Sequence, residues 1–153
     1  MLSVFWDYKG IIYFEFLDSN ETINADVYSQ QLINLNEALI KKRSALINRK
    51  KVLLLIDNSK PHKNKTVDET IQDLGWEILP HPPYSPDLAP TDYHLFYHLQ
   101  NSLRDKKFTK DEDLKKHVNQ FFESLDLSFF QKGIQVLPEK WRNVIDSYGD
   151  YFD

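Results

Sequence analysis

The chain of 153 residues is long enough for one domain with one sizeable core, and 41% apolar with 27% charged residues is ordinary globular composition. The absence of cysteine excludes a disulfide framework and a thiolate metal site, and no apolar run reaches the ~18 residues that would suggest a membrane span. A net charge of −4 argues against a chain-wide basic surface for nucleic acid, but a metal-dependent nuclease can be acidic because bound cations offset its carboxylates.

Ser3–Asp7 and Ile11–Leu17 are rich in β-branched and aromatic residues and predict a hairpin turning at Tyr8-Lys9-Gly10. A long helix is expected from Asn24 or Ala25, with Tyr28, Leu32, Leu35 and Leu39 on one face, fading near Leu46. Val52–Ile56 is apolar at every position and predicts a strand buried on both faces. Asn58–Pro61 form a loop, and Lys63–Leu74 a helix with Val67, Ile71 and Leu74 on one face, stopped by Gly75. Trp76–Leu79 is the next strand. Five of the seven prolines fall in Pro80–Pro90, which reads as a stiff extended loop rather than a helix.

Thr91 or Asp92 is expected to cap a helix carrying Leu95, Leu99 and Leu103 on one face. Lys110–Leu125 forms another, with Leu114, Val118, Phe121, Phe122 and Leu125 in register. A short helix holds Phe129, Ile134 and Leu137, and Pro138 opens a last one carrying Trp141, Ile145 and Tyr148. The order β-β-α-β-α-β followed by helices predicts an α/β fold: a mixed sheet flanked by helices, with a helical C-terminal tail from about residue 108 within a single domain over 1–153.

In such sheets a site lies outside the carboxyl ends of the strands, where Asp57 stands. Carboxylates converging on two divalent ions are the requirement of two-metal phosphoryl transfer, and carboxylate oxygens suit Mg²⁺ or Mn²⁺. Asp57 and Asp92 are the candidate metal ligands of a DNA-processing nuclease fold. Asp57 equally suits a turn with Asn58, whereas Asp92 at a helix start is more commonly a cap. Lys41, Lys42 and Arg43, with Arg49, Lys50 and Lys51 beyond them, are either cations suited to a helix C-terminus or phosphate contacts. His94 and His98, four apart, with His62 and His81, offer a rival zinc arrangement, against which stands a place at the edge of a core.

The stretches Leu53–His62 and Trp76–Phe96 resemble the mariner family of DNA transposases, above all in the run Pro83-Tyr84-Ser85-Pro86-Asp87-Leu88-Ala89-Pro90-Thr91-Asp92-Tyr93-His94. Phe5–Gly10 is similar to that family's Trp-Trp-Asp-x-Lys-Gly segment, and Tyr148–Asp153 to its carboxyl terminus. The resemblance implies an RNase H-like fold, cut-and-paste DNA transposition in the nucleus, a transposon-end DNA partner and a second transposase subunit. It also implies three aspartates holding two Mg²⁺ (or Mn²⁺), the last two separated by 34 residues; Asp57 and Asp92, with residues 58 to 91 between them, match the second and third.

The departures set further expectations. The family's first catalytic Asp, in a Gly-Asp-Glu segment, and its N-terminal helix-turn-helix domains precede the part resembled here, so that Met1 looks like an internal methionine and the stretch alone is expected to be inactive. Asp7 matches the non-catalytic Asp of Trp-Trp-Asp, and Ile56 stands where His is usual. The strand that carries the first Asp is expected between Ser3–Asp7 and Val52–Ile56, leaving both with an unpaired edge. Two alternatives accompany the catalytic reading: a non-enzymatic module that binds nucleic acid or a transposase subunit, and a decayed transposon remnant with no selected role.

Overall fold

The computed structural model describes residues 1–18, 20–49, 52–56, 64–82 and 84–146. It divides into two compact units, one of residues 1–6 and 12–85, the other of residues 7–11 and 86–153.

β1 (Leu2–Asp7) and β2 (Gly10–Phe16), most of whose residues fall in the first unit, pair as the expected hairpin. Its open end is tied by reciprocal backbone bonds: Leu17 N–H to the Met1 carbonyl at 2.7 Å, and the Met1 amino group to the Leu17 carbonyl at 3.2 Å. Helix α1 (Ala25–Lys42) starts where its cap predicts, the Asn24 side chain accepting from Val27 N–H at 2.8 Å. Tyr28, Leu32, Leu35 and Leu39 are all buried, as their spacing requires. The helix does not run on to Leu46. Arg43 leaves helical geometry at φ −137°, ψ 49°, and a separate turn, α2 (Ser44–Arg49), follows.

β3 (Leu53–Leu55) and β4 (Glu77–Leu79) form a two-stranded parallel pair, with Leu54 opposite Ile78. The expectation of a strand buried on both faces is corrected here. Leu54 is buried, but its neighbour Leu53 is 60% exposed, and Ile78 on β4 is 43% exposed. Successive side chains point to opposite faces of a strand, and only one face of this pair joins the core. Among the described residues the mixed sheet is present as two separate pairs, β1–β2 and β3–β4; β1 and β3 do not pair with each other.

Helix α3 (Lys65–Leu74) opens on Asn64, whose side chain accepts from Thr66 N–H, and ends as expected at Gly75. Gly75 adopts φ +76°, its N–H bonds to Gln72, and Trp76 N–H reaches back to the Ile71 carbonyl at 3.2 Å. This is the Schellman arrangement, which needs a left-handed residue. Val67 and Ile71 face the same core as α1, together with Ile12, Val52, Leu54 and Trp76.

In the second unit the proline-rich loop is not wholly extended. Pro86–Leu88 form one 3₁₀ turn, because proline at a first helical position loses no hydrogen bond it would otherwise make, and Leu88 is buried. Thr91–Phe96 wind as a π-helix that continues directly into α4 (Tyr97–Leu103). Three further helices follow: α5 (Asp111–Ser124), with three acids in its first turn; α6 (Leu127–Gln135); and α7 (Leu137–Asp146). Leu95, Leu99, Val118, Phe122, Phe130 and Leu137 are buried, whereas Leu114 and Ile145, expected on core faces, are exposed.

Two substitutions separate packing from backbone strain. Leu32→Ala empties a fully buried site (0% exposed) and is expected to cost about 3 kcal/mol in denaturant unfolding. Gly75→Ala meets no atom within 4 Å of the added methyl, so its expected cost is the ~1 kcal/mol of left-handed backbone alone, with an unchanged denaturant slope.

Candidate active site

Asp57 follows β3 by two residues in sequence and lies outside the described residues. Asp92 is described, and the structure changes its setting. It does not cap a helix: the position before the π-helix is Pro90, which makes no side-chain cap, and Asp92 stands inside the first turn, its N–H bonded to the Ala89 carbonyl at 2.9 Å. The turn is already wound by residue 90, because the proline ring presets a helical φ of −54° there. The Asp92 carboxylate is exposed.

The two residues after Asp92 face inward and are tied to α6. Tyr93 donates its hydroxyl proton to the Gly133 carbonyl, and the Lys140 ammonium sits 4.6 Å from the centre of the Tyr93 ring. Burial pushes the Tyr93 phenol up to about 12, so it remains a neutral donor. His94 Nε2–H donates to the Phe129 carbonyl at 2.7 Å; a carbonyl only accepts, which fixes the proton on that nitrogen. Burial lowers the His94 pKa, the Phe129 hydrogen bond opposes this, and the nearby His98 and Lys132 charges reinforce it.

His94 and His98 therefore do not open onto a common metal. Their rings meet edge to face at 5.1 Å, and both pack on Phe129. Among the described residues no three His, Asp or Glu side chains gather as a metal-binding group. What Asp92 offers is hard carboxylate oxygen at an exposed position, a donor that fits Mg²⁺ or Mn²⁺ better than zinc. Asp7, set aside on sequence, has a turn role, accepting from Lys9 N–H at 2.9 Å.

The basic run at the end of α1 is split by the fold. Lys42 donates from Nζ to the Ile12 carbonyl at 2.9 Å, fastening the helix end to β2. Arg43 donates to the Lys42 carbonyl at 3.1 Å, within the helix terminus it closes. Lys41 is exposed. Sequence spacing had picked out His94 but passed over Tyr93 and Lys140, whose contacts join residues 40 or more positions apart.

A family model described as "Transposase (partial DDE domain)" matches residues 1–49. The Mariner Mos1 transposase of Drosophila mauritiana is 44% identical over the whole chain, which spans 45% of that relative's length. Solved structures of the Mos1 transposase catalytic domain with Raltegravir and Mg or Mn match at a TM-score of 0.95 and 45% identity, covering 99% of this chain and 76% of theirs. A Mos1 transposase paired-end complex with the left transposon end matches at 0.92 and 44% identity, covering 99% of this chain and 44% of that one. The RNase H-like α/β fold expected from the sequence is borne out by this likeness, and the chain belongs to the mariner family of DNA transposases.

Proposed function

We propose that these residues are the part of a cut-and-paste transposase catalytic domain that supplies two of its metal-binding carboxylates, Asp57 and Asp92, and acts on transposon-end DNA in the nucleus beside a second transposase subunit. The observation that carries this reading is the match to the Mos1 catalytic domain over 99% of the chain. The Mos1 structures hold Mg or Mn and, in the paired-end complex, a transposon end, which supports the same metals and DNA partner for this chain. A divalent ion at Asp57 and Asp92 would activate the attacking oxygen and stabilise the leaving one. This chain's own part is to hold the two carboxylates.

Mn²⁺ binding followed by electron paramagnetic resonance tests the site. Asp57→Asn and Asp92→Asn are each expected to weaken binding at least about tenfold, in line with loss of a first ligand; unchanged binding in both sinks the assignment. The stretch by itself is expected to leave supercoiled DNA uncut in Mg²⁺ or Mn²⁺, and nicking that disappears in Asp57→Ala would show that two carboxylates suffice.

The split of the basic run gives a second test. Lys41→Ala is expected to leave stability unchanged and to lower the slope of log K against log salt for DNA binding by about 1. Lys42→Ala is expected to cost about 1 kcal/mol of stability through the lost Ile12 contact. Equal effects of the two on stability would contradict the division.

A further inference from the structure

The proposed ligand Asp92 sits on an uncommon piece of backbone, a π-helical turn. A π-helix closes i→i+5 bonds and occurs mostly as single turns, often at functional sites. Thr91–Phe96 is one such turn, and it runs without a break into α4. Each α-helical residue advances about 100° around the axis. Rewinding this turn as α-helix would shift the residues ahead of it by about one position against the buried Leu95 and Leu99, turning Asp92 through roughly that angle. The direction of the carboxylate therefore depends on what keeps the wider turn.

Three side chains converge on that turn from outside it or lock it outward. The Tyr93 hydroxyl is bonded to the carbonyl of Gly133, in the last turn of α6, where a helix leaves carbonyls without internal donors. His94 Nε2–H is bonded to the carbonyl of Phe129, one turn earlier on the same helix, and its ring stacks on Phe129 at 4.1 Å between centroids. Lys140, on α7, covers the Tyr93 ring. Two adjacent residues gripping two carbonyls four apart on a neighbouring helix fix both the height and the rotation of the turn.

We propose that Tyr93, His94 and Lys140 are positioning residues for Asp92: by docking the π-helical turn onto α6 and α7 they hold the Asp92 carboxylate in one orientation for a divalent ion. The proposal rests on the reading of Asp92 as a metal ligand, but the docking itself is independent of metal. Outer contacts that orient a ligand typically change metal affinity 10–100-fold when removed.

The test uses the full 153-residue chain, isotopically labelled. Without metal, three-bond N–Cγ couplings report the Asp92 side-chain rotamer, and amide exchange reports protection through residues 91–96. Mn²⁺ is then titrated while the Asp92 amide broadens. Tyr93→Phe combined with His94→Ala is expected to average the Asp92 rotamer, lower protection of the turn and weaken Mn²⁺ about tenfold, with a melting temperature within ~5 °C of the parent. His94→Gln, which returns an N–H donor, is expected to restore most of the loss. An unchanged Asp92 rotamer and unchanged protection in the double variant would overturn the proposal. Tyr93→Phe removes a single oxygen and keeps the ring beneath Lys140, so the same readouts on it decide the matter even where the double variant does not fold. If Asp92→Asn leaves Mn²⁺ binding as it was, the metal assignment fails, whereas the metal-free rotamer and protection still decide the docking.

Discussion

The apolar stripe of α1 is the constraint from which the first unit follows. An isolated helix of this length is marginal in water, and most of its stability must come from covering Tyr28, Leu32, Leu35 and Leu39. What covers them is α3, through Val67 and Ile71, together with Ile12 of β2 and Leu54 of β3. The Schellman turn at Gly75 then delivers the chain from the end of α3 into β4, and the parallel pairing of β4 with β3 follows. A parallel pair needs a crossover of this kind, because two strands running the same way cannot be joined by a hairpin. Asp57 comes two residues after β3 in the sequence, so the strand that precedes a proposed ligand is placed by the burial of Leu54.

Most of this was legible from residues that act locally. Asn24 and Gly75 mark helix ends by chemistry that needs no tertiary partner, and every residue that the 3.6-residue spacing placed on the core face of α1 is buried, although it passed over the buried polar Ser29 and Gln31. Failures came where the reading depended on what lies across from a residue. Val52–Ile56 has the composition of a strand covered on both sides, yet composition cannot say which face receives a partner, and Leu53 is exposed. Ile145 keeps register on its helix and is exposed for the same reason. The break of α1 at Arg43 lacks the glycine or proline that would have announced it.

At the site, the sequence offered Asp92 as a candidate through its position and the family resemblance, and offered a helix cap as the alternative. The structure removes the cap, since Pro90 occupies that position and the turn is already wound. No residue pattern announces an i→i+5 turn. The contacts that hold this one, Tyr93 to Gly133 and His94 to Phe129, join segments 40 and 35 residues apart. His94 and His98 show the converse. Their spacing is right for a shared metal, but spacing on a helix says only that two rings are neighbours, and here they share Phe129.

Charge followed the same logic. Lys41, Lys42 and Arg43 read as one basic feature, but Lys42 spends its ammonium on Ile12 and Arg43 closes its own helix end. The Arg43 contact satisfies a carbonyl at the negative end of its own helix, where cations stabilise most, whereas the Lys42 contact is to a strand carbonyl. With 23 acidic and 19 basic side chains in the sequence, the chain as a whole does not attract a polyanion through its average field. Attraction to a phosphate backbone must then be local, through the few cations the fold leaves exposed and through divalent ions held on carboxylates. In this arrangement the proposed metal ligands would serve binding as well as chemistry: a divalent ion bound at Asp57 and Asp92 would offset the two negative charges that an incoming phosphate would otherwise meet.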